Sequence, residues 1–212
     1  FKYFEKMKVV ILTNKTSHHL YFLHQLLLDK RIEIYPIFEK NVVKFPFKTR
    51  HSLEVLRNRY ENQILKKKNI QYSSIKKKEL KNVNSKTCIN LIKKINPKLI
   101  ISYGVGKIRG NFLKNFGNKT FNLHGGDPEN YRGLDSFLWA IYHKDFNNFY
   151  ITLHKVSKKL DTGDIIYKKK IILNQNTNIY NLRLLSANTC ISLAKKIIKQ
   201  YLFLKKHKTQ TQ

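Results

Sequence analysis

Cysteine is scarce: Cys88 and Cys190 stand far apart in the 212 residues, with no C-x-x-C pair and no histidine at ligand spacing. That excludes a disulfide framework and a zinc site and fits a reducing compartment. Acidic residues are scarce too, thirteen Asp and Glu against forty-two Lys and Arg, for a net charge of +29. No apolar run reaches the length of a membrane span, and Phe1 to Lys6 lacks the apolar segment and small-residue cleavage site of a secretory leader. A cytoplasmic protein without membrane contact is expected. No internal repeat or low-complexity linker divides the chain, although 66–81 is a locally charged connector. One domain is therefore expected over 7–206, with 1–6 a tag or upstream remnant ahead of the only methionine, Met7, and 207–212 a tail.

What is present is enough for a folded core: 42% hydrophobic and 12% aromatic residues can offset the entropy of an ordered chain. The basic excess points to anionic partners, yet it is mostly lysine, accompanied by Asn, Ile, Tyr and Phe. The lysine runs 66–68, 76–78 and 168–170 read as solvated faces. A nucleic-acid module should show Arg clusters or exposed aromatics among basic residues on one face. Neither pattern is visible, so nucleic acid is not an expected partner.

Lys8 to Thr13 is a short β-branched run ended by Asn14, the pattern of a strand buried on both faces. From Ser17, read as an N-cap, Leu20, Leu23, Leu27 and Leu28 recur at helical spacing. A strand is predicted at Ile32 to Phe38. Over Lys48 to Lys68 a helical stripe of Leu53, Leu56, Tyr60, Ile64 and Leu65 lies under a basic opposite face. Asn84 or Ser85 can cap a helix through Ile95, which Asn96-Pro97 ends ahead of a buried strand at Leu99 to Ser102. Further strands are predicted at Thr120 to His124, Tyr150 to Val156 and Ile165 to Leu173. Ser136 to Lys144 reads as a short helix and Asn178 to Lys206 as one long or kinked helix. The alternation of strand and helix in the first half is that of a parallel α/β sheet.

In such a sheet ligands collect beyond the carboxyl ends of the strands. Three places there join polar groups to glycine: Tyr103-Gly104-Val105-Gly106, Asn122-x-His124 running into Gly125-Gly126, and Asp161-Thr162-Gly163-Asp164. Two residues apart in an extended segment, Asn122 and His124 point the same way and can face one reacting atom. Asp161 could supply the carboxylate that orients or charges the imidazole. The plainer reading makes these glycines and Gly133 turn residues, and the Asp161 segment a tight turn. Gly104-x-Gly106 lacks the third glycine and helix opening of a dinucleotide site. The other histidines, such as His18, His19, His51 and His207, carry no distinguishing context.

The stretch FNLHGGDPENYRGLDSFLWAIYH, 121–143, followed by ITLHKVSKKLDTGDII, 151–166, resembles the folate-dependent formyltransferase family. The family's marks are Asn-x-His, Tyr-Arg-Gly, Trp-Ala-Ile and a distal Leu-Asp-x-Gly-x-Ile. The correspondence covers about residues 99 to 167 in order and spacing. It implies a single Rossmann-like formyltransferase domain, with a mostly parallel central sheet flanked by helices and a long C-terminal helix. It also implies transfer of a formyl group from 10-formyltetrahydrofolate to a primary amine, with no metal and no covalent enzyme intermediate.

In that reaction Asn122 would donate its amide N–H to the oxygen of a tetrahedral species. His124 would donate a second hydrogen bond or take the amine's proton, and Asp161 would hold His124 or relay the proton through water. The resemblance places the pterin against Gly104, Val105, Gly106, Lys107 and Ile108 and against 156–161, including Val156, Lys159 and Leu160. The family often carries an Arg where this chain has Gly106. Gly125, Gly126, Tyr131, Arg132 and Gly133 are placed to meet the acceptor, although Arg132 could equally stabilise its own loop. Trp139 falls in the stripe of Phe137, Leu138 and Ile141 and is expected in the core.

Members of the family act on methionyl-tRNA, glycinamide ribonucleotide or nucleotide-linked amino sugars. The tRNA enzymes append a C-terminal barrel domain, whereas this chain ends in a basic helix. The ribonucleotide enzymes carry a Gly-Ser-rich phosphate loop after the first strand, where this chain reads Thr13-Asn14-Lys15-Thr16-Ser17. The stretch HGGDPENYRGLDSFLWAIYH looks most like the small enzymes that formylate 4-amino-4,6-dideoxy sugars such as GDP-perosamine. The partners implied are folate, a nucleotide-linked amino sugar and, for a family of this kind, a second copy of the chain. The alternatives are a glycinamide ribonucleotide or methionyl-tRNA formyltransferase, a folate-binding protein without transfer activity, and a basic nucleic-acid binder.

Overall fold

The computed structural model describes residues 6–40, 52–67, 78–133 and 136–208, with side chains through 204. Residues 1–5, the 209–212 part of the expected tail, His51, the ends of the 48–68 helix, the 68–77 part of the 66–81 connector and the His207 side chain lie outside the described residues. Strands β1 (Met7–Thr13), β2 (Ile32–Glu39), β3 (Lys78–Leu80), β4 (Leu99–Ser102), β5 (Thr120–His124), β6 (Tyr150–Lys155) and β7 (Ile165–Lys170) form one sheet in the order β3-β2-β1-β4-β5-β6-β7. The first five run parallel, β6 is antiparallel to β5, and β7, antiparallel to β6, returns to the direction of the first five.

Period-two alternation along β1 feeds two cores. Val9 and Ile11 pack on one side with helices α1 (Ser17–Leu27) and α6 (Leu182–Lys208). Val10 and Leu12 pack on the other with α3 (Lys86–Ile95) and α4 (Gly110–Phe116). Covering both faces is what a continuous β-branched run requires. Phe22 and Phe38 anchor the first layer and Phe112 the second, each fully buried and each worth about 1.5–3 kcal/mol of apolar burial.

Local chemistry sets the boundaries. Ser85 accepts the Cys88 N–H at 3.2 Å and caps α3, which ends on Asn96 in the left-handed region, φ 51°, just before Pro97. At α1 the cap is Thr16, not Ser17; its hydroxyl meets the Nδ1 atoms of His18 at 3.2 Å and His19 at 2.5 Å. The long helix α6 begins at Leu182 because the Asn178 side chain ties 178–181 into a turn.

Three sequence expectations are corrected. In α2 (Ser52–Lys67) the buried side chains are Arg57, Glu61 and Leu65, so the inner face is rotated from the expected stripe, and Leu56 is exposed. The cause is Arg183 of α6, which places two hydrogen bonds on the Glu61 carboxylate. Trp139 of α5 (Ser136–Tyr142) is 55% exposed and stacks on His143 rather than entering the core, which Ser136 and Ala140 face instead. Lys168 is not merely solvated: its ammonium sits 2.7 Å from the buried Asp127 carboxylate and over the Tyr150 ring. Sequence reading also passed over β3 and α4. The seven-residue α4 shows its pattern only as Phe112 and Phe116, packed edge to face.

Candidate active site

Strands β1 and β4 are neighbours, yet the chain leaves them toward opposite edges of the sheet, β1 toward β2 and β4 toward β5. Their carboxyl ends therefore diverge and open a crevice. A cavity of about 1070 Å³ occupies it, floored by Ser102, Asn122 and His124 and walled by the 104–108 loop on one side and the start of α1 on another.

The floor follows from register. On β4 Ser102 lies beside Asn122 of β5, and on β6 His154 lies opposite the same asparagine. The Ser102 hydroxyl donates to Asn122 Oδ1 at 2.8 Å, which turns the amide NH2 toward Asp161 Oδ1 at 3.3 Å and His154 Nε2 at 3.2 Å. Flipping the amide would set its oxygen against a carboxylate, so the surroundings fix the donor's direction.

Asp161 arrives from the β6–β7 connection with φ 50°, a left-handed conformation that aspartate tolerates better than most residues. Two residues on, a Cβ at Gly163 would lie 1.8 Å from the Lys155 carbonyl oxygen, so the turn can close only with glycine there. The Asp161 carboxylate lies 3.5 Å from His124 Nδ1 and 3.4 Å from His154 Nε2, and it accepts the Gly133 N–H at 3.1 Å. Burial alone would raise its pKa. The His154 bond, the His124 charge and the Gly133 N–H outweigh that and hold the carboxyl below its usual value.

His124 is held at both ring nitrogens. Its Nε2 lies 2.9 Å from the Tyr131 carbonyl oxygen and 3.3 Å from Ser136 Oγ, while Nδ1 faces Asp161. A carbonyl only accepts, so Nε2 carries a proton. In His154 the Nδ1 atom likewise donates to the Lys155 carbonyl at 2.8 Å.

The expected residues divide as follows. Asn122, His124 and Asp161 meet at the cavity, and Gly104 to Ile108, Val156, Lys159, Leu160, Gly125 and Gly133 all line it. Gly126, Tyr131 and Arg132 do not line it. Gly126 packs on Ser136 and His124, the Tyr131 hydroxyl donates to Asp145, and Arg132 donates to the Pro128 carbonyl. Three histidines that the sequence left without distinction belong to the site. His154 joins the cluster of Asn122, His124 and Asp161, and His18 and His19 line the far wall. Only the antiparallel register of β5 and β6 could have identified His154.

The far wall is a packed polar cluster. His18 and His19 stack on one another and, with Phe22, surround the Tyr103 ring. A Cβ at Gly104, whose φ is 76°, would lie 2.0 Å from His19 Nε2, so glycine lets the loop rest on that ring. Burial, then the Arg183 guanidinium for His18 and the His18 ring for His19, push both imidazoles well below their usual pKa.

A family described as formyl transferase matches residues 7–188. The bifunctional polymyxin resistance protein ArnA of Wigglesworthia glossinidia brevipalpis is 30% identical over 138 residues, 60% of this chain and 19% of its own length. A methionyl-tRNA formyltransferase of Finegoldia magna is 28% identical over 122 residues, 57% of this chain and 39% of its own. The chain thus spans well under half of either relative. In fold it is similar to a 4-N formyltransferase from Francisella tularensis, with TM-score 0.61 and 17% identity over 93% of this chain and 70% of that one. It is equally similar to a phosphoribosylglycinamide formyltransferase from Streptococcus pneumoniae, with TM-score 0.60 and 16% identity over 93% and 99% of the two chains. Most of the chain lies inside the family match, with the Asn122, His124 and Asp161 cluster within it, and the protein belongs to the formyl transferase family.

Proposed function

We propose that the chain transfers a formyl group from 10-formyltetrahydrofolate to the primary amine of a nucleotide-linked amino sugar of the 4-amino-4,6-dideoxyhexose type. The observation that carries this is the convergence of Asn122, His124 and Asp161 on one cavity whose wall is the 104–108 loop. The donor's pterin lies against that loop and the Val156, Lys159 and Leu160 segment. Its formyl carbon sits over Asn122.

Attack by the amine turns the formyl carbonyl into a tetrahedral species whose oxygen carries negative charge. Asn122, whose amide NH2 lies against both Asp161 and His154, keeps one hydrogen toward Asp161 and turns the other from His154 to that oxygen. A donor aimed in advance in a dry site typically contributes about 2.7–4 kcal/mol. When protonated, the His124 ring beside Asp161 adds a positive electrostatic field at the same atom. As the attacking nitrogen becomes cationic, its proton leaves through Asp161 or a water bound to it. The tetrahedral species then collapses, the bond from the formyl carbon to N10 of the donor breaks, and a proton passes to N10 as tetrahydrofolate leaves.

The sugar class is favoured by the first wall of the site. Residues 13–17 contain no glycine, and the Thr16, His18 and His19 side chains bond to one another where a ribonucleotide enzyme's phosphate loop would need bare backbone. Mass spectrometry on reactions with 10-formyltetrahydrofolate and GDP-, dTDP- and UDP-linked amino sugars tests the reading. A formyl gain on one of them is expected. Formylation of glycinamide ribonucleotide or methionyl-tRNA instead would overturn the acceptor and leave the transfer chemistry standing.

A further inference from the structure

On the reading that the 104–108 loop receives the donor, we propose that Glu39 is the positioning residue that sets this loop in its binding conformation before folate arrives. Glu39 ends β2 and is buried. Its Oε2 accepts the Gly106 N–H at 2.6 Å and its Oε1 accepts the Val83 N–H at 3.0 Å. One side chain thus ties the loop after β4 to the turn after β3, across the carboxyl edge of the sheet.

Two neighbours complete the brace. Asn14 donates to the Gly104 carbonyl at 2.7 Å. Asn84 donates to the Lys107 carbonyl at 2.9 Å and accepts the Arg109 N–H at 2.8 Å. The backbone groups of Val105 and Ile108, the Gly106 carbonyl and the Lys107 N–H have no hydrogen-bond partner among the described residues. Those remaining groups are the ones a flat heterocycle rich in donors and acceptors can read.

The carboxylate is chemically required in this role. Both of its partners are N–H donors, and only an acceptor at each oxygen satisfies both. Glutamine has nearly the same shape but would turn an NH2 against one of the two N–H groups, leaving a buried donor unsatisfied. A substituent at Gly106 would meet the same carboxylate: a Cβ there lies 3.4 Å from Glu39 Oε2, an ordinary contact. Gly106 is not in the left-handed region, so side chains are tolerated in its backbone.

The test measures tetrahydrofolate dissociation constants and steady-state kinetics for the wild type, Glu39→Gln, Gly106→Asn and Gly106→Asp, with Tm for each. In Glu39→Gln the tetrahydrofolate Kd and the donor KM should rise about tenfold, with kcat at saturating donor and the acceptor KM within about twofold. Gly106→Asp should weaken tetrahydrofolate several-fold more than the isosteric Gly106→Asn, even if Glu39→Gln fails to fold. Binding unchanged in Glu39→Gln, a fall in kcat in place of the KM shift, or equal effects of Asn and Asp at 106 would overturn the proposal. A wild type that binds no tetrahydrofolate would instead remove the functional reading on which it rests.

Discussion

Acid should loosen this fold through two histidines, by an amount that the far wall of the cavity sets. His18 and His19 are buried against Tyr103, Thr16, Glu61 and one another, with Arg183 and Arg57 close by. Their imidazoles stay neutral in the folded protein because burial and nearby positive charge both lower the pKa. In the unfolded chain each titrates near its ordinary value of about 6.5. The folded pKa lies below the unfolded one, so the stabilisation is complete above about pH 6.5 and is lost as the pH falls toward the folded value. Between about pH 7.5 and about pH 5.5 each ring should cost up to about 1.4 kcal/mol, so up to about 2.8 kcal/mol for the pair. Urea unfolding of the wild type and of His18→Gln and His19→Gln at the two pH values measures this directly. Each substitution should remove about half of the excess pH dependence, whatever it does to stability at the higher pH. If both variants lose stability on acidification as steeply as the wild type, the rings are not held neutral and the reasoning is wrong.

Other outcomes follow from the same geometry. Asn122→Ala should lower kcat by about 10²–10³-fold with tetrahydrofolate binding retained, as read by stopped-flow turnover and calorimetry. Asp161→Asn should slow turnover severely by removing the His124 counter-charge. The stability that Asp161 contributes should be constant from neutral pH down to about pH 5 and fade only below about pH 4, because its folded pKa lies beneath the unfolded one; chemical denaturation at several pH values checks the sign. Gly163→Ala should cost about 2 kcal/mol or more, since its Cβ collides with the Lys155 carbonyl. Gly125→Ala, with open space around the new methyl, should stay within about 0.5 kcal/mol, and thermal melts of the two glycine variants compare them. Trp139→Ala should likewise leave Tm nearly unchanged, which a core tryptophan would not.

Most of the fold was legible because strands buried on both faces and amphipathic helices announce themselves by periodicity. The Lys8 to Thr13, Leu99 to Ser102 and Thr120 to His124 runs became strands nearly residue for residue. What misled was local pattern without partners. The α2 stripe turned out rotated because Glu61 answers Arg183, which lies 122 residues away. Trp139 sat among apolar neighbours in sequence yet faces solvent. The site shows the same division. Asn122 and His124 share a face by strand alternation, and Asp161 sits in a recognisable glycine turn.

The sequence by itself determined that alternating strand and helix segments build a mostly parallel sheet, and that an amide, an imidazole and a carboxylate stand at its carboxyl edge. Those facts depend on periodicity and turn chemistry, which are local. Only the tertiary structure decided that His154 enters the cluster, that Ser102 fixes the Asn122 amide, and that Glu39 and Asn84 brace a loop far from them in sequence. Strand register and strand order bring such groups together, and both are set by which apolar faces pack across the sheet rather than by any short stretch of chain.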